Sequence, residues 1–577
     1  MADPLARVAE TLRPVFVRLA ADESADPVVR PSERADAQVN GSLALAKSLG
    51  RSPRDVAAMV LAEVDLSHMC SATEVAGPGF INLTFTDAFL AAELAAATSD
   101  VRLGVRAAPS PLTVVVDYSA PNVAKEMHVG HLRSTVIGDA IVRMSSFVGH
   151  HVVRENHIGD WGTPFGMLIE HLVDLGEDAA ARELSVGDLD AFYRQARVKF
   201  DADDAFKDRA RRRVVMLQGG DAETLRLWRL LVAESTQYFD RVYSVLGVLL
   251  TGDDLRGESA YNDLLPEVVR RLEGAGLLQT DDGAEVVFVD GYANRDNEPL
   301  PLIIRKGDGG YNYAASDLAC VIDRIERVGA DLMLYVVGAP QAQHLGMVRD
   351  VAAKAGWLVA PARMEHVAFG SVLGEDRKML KSRAGSAVKL DALLAEAIER
   401  ALAAVREKNP ELPAELAAVV ARQVGIGAVK FADLSTDRIK DYVFDWERML
   451  AFEGNTGPYL QYQHARICSI FRRAGVARDR YRGHAPSPAE PQERALVLAL
   501  LQFDTAVHDA LERYSPHRLC TYLYELAAAF SAFYEQCPVL RAGDDAVRDS
   551  RLALCDATAR VLECGLGLLG IESPEQM

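Results

Sequence analysis

Apolar positions recur along this chain with two different periods, and the period changes twice. The first hundred residues begin with a helical stripe and end in EVAGPGFINLTF, where a Gly-Pro-Gly turn precedes alternating apolar positions; the spacing predicts a strand on a small α+β module. Pro-containing AAPSPL then reads as a linker. From Leu112 the order becomes strand, turn, helix, strand. LTVVV leads, Leu132, Val136, Ile137, Ala140, Ile141 and Met144 follow at helical spacing, and HVVREN supplies the next strand, the pattern of a parallel α/β unit. That pattern returns with DLMLYVV (331–337), a helix from about Gln343, and MEHVAFG (364–370). The charged stretch at about 175–300 reads as a mostly helical insertion between two halves of one sheet.

Beyond about 385 the chain reads as all helix. Leu496, Leu500, Phe503, Val507 and Ala510 form one stripe. Leu519, Tyr522, Leu526, Phe530 and Phe533 form a second, behind Ser515 as N-cap and Pro516 at the first helical position. Leu552, Cys555, Ala559, Leu562, Leu566 and Leu569 form a third, so a terminal helical bundle is expected.

A chain of 577 residues exceeds what one core supports, and three or four domains are expected. With 49% hydrophobic and 25% charged residues, no apolar run near the length of a membrane helix and a polar start, it reads as a soluble cytoplasmic protein with no membrane association. Cys70, Cys320, Cys468, Cys520, Cys537, Cys555 and Cys564 are scattered without a C-x-x-C, which points to neither a disulfide framework nor a zinc site. The formal net charge of −19 opposes nonspecific nucleic-acid binding. It leaves a specific RNA partner open, through clusters such as RARRR (209–213) and RRAGVARDRYR (472–482), each of which reads equally well as a solvated helix face.

Two nucleotide-like motifs fail on context. GSLALAKS (41–48) has Ala46 for the second glycine of a P-loop and no preceding strand, so it reads as helical core. GLGLLG (565–570) lies in the last helical stripe with no room for a βαβ unit. The turn SAPNVAKEMHVGH (119–131) does better. His128 and His131 fall on one face of a helix N-terminus, whose unpaired N–H groups and dipole suit a phosphate, and Gly130 leaves room for a planar base. Alone, such a pair is a satisfied surface pair in most proteins. RKMLKSR (377–383) adds Lys378 and Lys381 on a loop after a late strand, able to fold over the same ligand and stabilise phosphoryl charge.

His-Val-Gly-His after a first strand, with Lys-Met-Leu-Lys-Ser after a late one, resembles the HIGH and KMSKS signatures of class I aminoacyl-tRNA synthetases. VVDYSAPNVAKEMHVGHLRSTVIGD, NHIGDWGTPFG, AFEGNTGPYLQY and LGLLGIESPEQM narrow the resemblance to the arginyl-tRNA synthetase family, over essentially the whole chain.

The resemblance implies a multidomain α/β plus all-α architecture. Residues 1–105 would be an N-terminal α+β tRNA-binding domain, 112–385 a split Rossmann-like catalytic domain with its insertion at about 175–300, 386–450 a helical connecting segment, and 451–577 a helical anticodon-binding domain. It implies ATP as a substrate carrying Mg2+, with no metal site in the protein. The partners would be L-arginine and tRNA(Arg), the protein a monomer, and activation dependent on tRNA. By matching position, His128, His131, Lys125, Lys378 and Lys381 would act on the phosphates, and Pro121, Gly130 and Met379 would also meet ATP. Leu380 stands where the signature has serine. Asp117 and Asp317 would take the guanidinium, Tyr313 would line its pocket, and Asn122 and Gln341 would hold the α-amino end. A guanidinium, planar with five donors, calls for such acceptors. For tRNA, Asn82 and Phe85 would bond and stack on a D-loop base. Tyr459 and Gln461, with Tyr462, would serve the anticodon-domain entrance or pack in its core. Two rivals are a small-molecule nucleotidyltransferase, which needs no terminal helical domain, and a noncatalytic RNA-binding relative, which would ordinarily have lost the histidines or loop lysines.

Overall fold

A computed structural model of the chain describes residues 3–32, 34–176, 189–294, 296–374, 376–378, 380 and 388–577. It divides into two compact units. One holds Met1–Ala107, Phe452–Gly567 and Glu572–Met577; the other holds Ala108–Ala451 and Leu568–Ile571.

In the first unit α1 (Pro4–Ala20) starts at Asp3, whose carboxylate accepts from the Leu5 N–H, with Pro4 at the first helical position. Strands β1 (Val29–Pro31), β2 (Ala37–Val39), β3 (Cys70–Ala76) and β4 (Phe80–Phe85) form an antiparallel sheet in the order β1-β2-β4-β3, beside α2 (Ser42–Leu49), α3 (Pro53–Glu63) and α4 (Asp87–Ser99). GSLALAKS forms α2, as its pattern predicts. EVAGPGFINLTF is a hairpin of β3 and β4, where the alternation had suggested a single strand. In β4, Ile81, Leu83 and Phe85 face the core and the intervening residues face out.

The second unit opens with β5 (Thr113–Asp117), α5 (Val129–Phe147) and β6 (His151–Glu155). The insertion follows: α6 (Thr163–Leu175), α7 (Leu189–Ala202), α8 (Asp204–Gln218), α9 (Ala222–Leu246) and α10 (Leu265–Gly274). It then leaves the helical pattern for a three-stranded antiparallel sheet of β7 (Gln279–Asp281), β8 (Ala284–Ala293) and β9 (Pro299–Arg305). The α/β pattern resumes with α11 (Tyr313–Glu326), β10 (Leu332–Tyr335), α12 (Ala342–Lys354) and β11 (Arg363–His366). All pairings in the main sheet are parallel and its order is β11-β10-β5-β6. Two βαβ halves therefore meet at β5 and β10, and the strand order reverses there, the place where open α/β sheets bind ligands. β5 reads as an unbroken apolar run because it is covered on both faces, with Val114, Val115 and Val116 at most 1% exposed. A parallel pair, β12 (Val372–Leu373) with β13 (Tyr442–Val443), brackets α13 (Leu390–Lys408) and α14 (Ala414–Leu434), so the region beyond 385 is not purely helical.

Back in the first unit, α15 (Gly457–Ala474), α16 (Pro491–Leu500), α17 (Phe503–Glu512), α18 (His517–Gln536) and α19 (Asp545–Leu568) make the helical bundle. The first expected stripe is two helices, broken at Leu501 and Gln502. Ser515 does not cap α18: its hydroxyl donates to the Arg513 carbonyl. The RARRR cluster is neither free nor fully solvated. Arg209 and Arg213 of α8 pair with Glu170 of α6, and Arg209 also with Asp174, closing the seam between those helices.

Candidate active site at the carboxyl edge of the parallel sheet

Between β5 and α5 the chain passes through three non-glycine residues with positive φ: Ser119 (75°), Ala120 (49°) and Ala124 (59°). Side chains (L-residues) disfavour that region, so neighbouring structure must hold it. The Ser119 N–H donates to Ser134 Oγ at 2.8 Å and the Ala120 N–H to Asn156 Oδ1 at 3.0 Å. Helix α9 of the insertion supplies the rest. The Ala124 N–H donates to Ser235 Oγ at 2.9 Å, the Met127 N–H to Tyr238 Oη at 3.2 Å, and Tyr243 Oη lies 2.8 Å from Ser119 Oγ. These buttresses were invisible in the sequence, since nothing in α9 marks its partners.

The turn delivers His128 as the N-cap of α5. His128 Nδ1 accepts from the Gly130 N–H at 3.0 Å, and His131 Nδ1 accepts from the His128 N–H at 3.0 Å, a reciprocal cap built from two imidazoles. The Val129 N–H donates to the Val388 carbonyl and the His131 N–H to the His128 carbonyl. The expected anion site of free helix N–H groups is thus corrected, because all four donors are engaged within the chain. What remains as a donor is the Nε2–H of each ring, since both Nδ1 atoms act as acceptors. The rings lie 4.0 Å apart. Burial, then the charge of His128, pushes His131 down to about 3, and burial also lowers His128, so both are neutral donors near pH 7. A Cβ at Gly130 would lie 2.7 Å from the His128 ring. The absence of a side chain at Gly130 therefore makes room for the capping imidazole.

Around this turn Pro121 is buried, Asn122 is exposed against Gly159, and the Lys125 ammonium rests 4.4 Å from the centre of the Tyr193 ring. Lys378 is exposed. Met379 and Lys381 lie outside the described residues. Of the residues flanking that loop, Lys389 pairs with the buried Glu126 at 2.6 Å, and the Leu390 N–H donates to the Met127 carbonyl.

At the carboxyl ends of β5 and β6 the last side chains, Asp117 and Glu155, are acidic. Asp117 is buried, and its Oδ2 accepts from Arg324 Nη2 at 2.7 Å; Arg324, fully enclosed, also donates to Glu155 Oε2 at 2.7 Å. One oxygen of Asp117 therefore already holds a guanidinium from the chain itself. Asp317 lies one turn after Tyr313 on α11, and its Oδ2 accepts from His344 Nε2–H at 2.5 Å. The Tyr313 ring is 62% exposed and sits edge-on to His344 at 4.7 Å. Gln341 is exposed at the end of a short 3-10 turn after β10.

Three further groups border this acidic end that the sequence reading missed. His157, of NHIGDWG, has Nδ1 3.0 Å from the Arg256 carbonyl. Burial works against its charge, but Cys320, Asp117 and Asp317 outweigh that and raise it well above the usual imidazole range. Burial pushes Glu258 up to about 7. His344 is the third. Among the described residues no group of three or more His, Cys, Asp or Glu side chains is placed to hold a metal ion.

The expected RNA contacts fare unevenly. Asn82 faces out of β4 and accepts from Gln38 Nε2 at 2.8 Å. Phe85 is only 2% exposed and packs on Phe89, so it is core and has no free face for a base. Gln461 is fully buried and donates to the Glu572 carbonyl at 2.7 Å, which takes the packing alternative. Tyr459 is half-buried, its hydroxyl 3.3 Å from Ser531 Oγ, and Tyr462 is exposed.

Residues 94–446 match the family model described as tRNA synthetases class I (R), catalytic domain; residues 460–577 match the DALR anticodon binding domain, and residues 5–85 the arginyl tRNA synthetase N terminal domain. The chain is 55% identical over 552 residues to an arginine–tRNA ligase of Thermobifida fusca (strain YX), covering 96% of this chain and 95% of that protein. It is 47% identical over 573 residues to that of Edwardsiella ictaluri (strain 93-146), covering 99% of each. The solved arginyl-tRNA synthetase of Thermus thermophilus is similar in fold, with a TM-score of 0.84 at 27% identity over 99% of this chain and 100% of that one. Three successive domain matches agree with full-length relatives on a single placement: the chain belongs to the class I arginyl-tRNA synthetases.

Proposed function

We infer that the carboxyl edge of the parallel sheet activates L-arginine and passes it to tRNA(Arg). The arginine carboxylate attacks the α-phosphate of ATP and pyrophosphate leaves, giving arginyl-adenylate. The 2′-hydroxyl of the tRNA's terminal adenosine then takes the arginyl group and AMP leaves. No covalent enzyme intermediate is needed, so catalysis rests on positioning and on stabilising phosphoryl charge. The observation that carries the reading is the pair of imidazoles whose Nδ1 atoms cap the start of α5 and leave their Nε2–H groups as donors, on the turn that follows Asp117 of β5.

In this reading His128 and His131 donate to the phosphates, with Pro121, Gly130 and Met379 against the nucleotide. Lys125 leaves the Tyr193 face for the triphosphate, and Lys378 and Lys381 serve the departing pyrophosphate. Asp317 and the open oxygen of Asp117 meet the guanidinium beside Tyr313, while Asn122 and Gln341 hold the α-amino group. A lysine ammonium lacks the planar set of donors these separate acceptors require. Mg2+ arrives on the ATP. Asn82, on the outer face of β4, and Tyr459, in the bundle, are the remaining candidates for tRNA contact. We further take the protein to act as a cytoplasmic monomer whose arginine activation depends on tRNA. No helix among the described residues is long and apolar enough to cross a membrane.

Charging of total tRNA with each labelled amino acid tests the reaction, and arginine is the expected product. Asp317→Ala should raise the arginine KM and leave the ATP KM unchanged; an unaltered arginine KM removes Asp317 from the pocket.

A further inference from the structure

We propose that His344 is a positioning residue for arginine selection: it occupies one oxygen of Asp317, turns the other toward the substrate, and steadies the Tyr313 ring beside it. The inference rests on the reading that Asp317 receives the arginine side chain. His344 is the third residue of α12, its side chain 16% exposed, and its Nε2–H donates to Asp317 Oδ2 at 2.5 Å. The same ring meets Tyr313 edge-on at 4.7 Å. Tyr313 and Asp317 are four apart on α11 and so share a face, which lets one imidazole from another helix touch both.

The arrangement at Asp117 is parallel. Arg324 Nη2 takes Asp117 Oδ2 at 2.7 Å, and among the described residues Oδ1 of neither aspartate has a hydrogen-bond partner. Both carboxylates act electrostatically on His157 and on Tyr335, so they border one region. A guanidinium there meets two single oxygens carried by different elements, where a lone aspartate would offer a two-oxygen fork. Its planar N–H groups can point at both; a compact ammonium gains far less from their separation. Selection then depends on each carboxylate being held in orientation, and His344 holds the one that is not buried.

A hydrogen bond to a charged group is worth about tenfold or more in binding. In pyrophosphate exchange with the full-length protein and tRNA, His344→Ala should therefore raise the arginine KM about tenfold. The ATP KM and the turnover at saturating arginine should stay within about twofold, and lysine should gain relative to arginine. His344→Gln, which keeps an N–H near the Nε2 position, should recover most of the arginine affinity. An unchanged arginine KM in His344→Ala overturns the proposal, as does a joint fall of turnover, ATP affinity and thermal stability in both variants. Asp317→Asn separates the two levels. If it raises the arginine KM and His344→Ala does not, only the positioning role fails; if it has no effect, the pocket assignment falls and the proposal with it.

Discussion

In each histidine of the HVGH turn Nδ1 closes the start of α5, which leaves Nε2–H as the ring's remaining donor. His131→Ala should lower pyrophosphate-exchange turnover by roughly 10²-fold, the scale of losing one aimed donor to transition-state charge. Since the folded His131 titrates near 3, the exchange profile between pH 5 and 8 should show no step that this substitution removes. Its depressed value also sets a stability sign. The contribution is complete above about 6.5, the unfolded value, and is lost as pH falls toward 3. Glu258 titrates in the opposite sense. With its carboxyl at about 7 beside Asp317, it gains negative charge as pH rises through neutrality, so the arginine KM should fall from pH 6 to pH 8. Glu258→Gln should flatten that dependence, and an equally steep change in the variant would assign it to another group. The spacing of the two histidines was legible in the sequence because three residues span most of a helical turn. The capture of Asp117 by Arg324, 207 residues away, was not, because a buried partner on another element leaves no local pattern. Phe85 could have been placed from the alternation itself, since it shares its face with Ile81 and Leu83.

Helix α5 is held as firmly at its side as at its start. Arg133, 1% exposed, lies 3.3 Å from Asp433 at the end of α14 and donates to the Lys440 carbonyl at 2.9 Å, between the Phe369 and Tyr442 rings. That carbonyl precedes β13, which pairs with β12, so one side chain connects the helix bearing the histidines to the root of the strand ahead of KMLKS. Arg133→Met alone leaves Asp433 buried without its partner and should destabilise the protein by about 3–5 kcal/mol. Adding Asp433→Leu should restore most of the thermal stability, because an apolar pair often replaces a buried ion pair at little loss. Failure of the double variant to recover would mean that the Lys440 contact carries the effect. The parallel sheet and its two crossovers were readable from periodicity. The antiparallel strands β7–β9 were missed, although Asp282 and Gly283 carried the signal: both have positive φ in a two-residue hairpin turn, the geometry that Asp-Gly favours. The charge of the insertion masked it. Nor did the insertion's pattern disclose that Ser235, Tyr238 and Tyr243 of α9 hold the strained turn before α5.

At the scale of the molecule, a chain of net charge −19 that serves an RNA substrate must recognise it locally, since the overall field opposes a polyanion. The basic clusters that first suggested such a surface are partly consumed inside their units: Arg209 and Arg213 bind α6, while Arg478 pairs with Asp556 and Glu563. Length and the change from α/β to helical pattern suggested a succession of folded regions; a charge run could not disclose which of its members point inward. The family matches cover the N-terminal module, the catalytic region and the terminal bundle, and the proposed dependence of activation on tRNA is a property of the whole chain. The most direct test is ATP–pyrophosphate exchange with each of the twenty amino acids, with and without total tRNA. The account predicts exchange with arginine alone, and only when tRNA is present. Exchange driven by another amino acid, or none with arginine and tRNA from a folded protein, would contradict it.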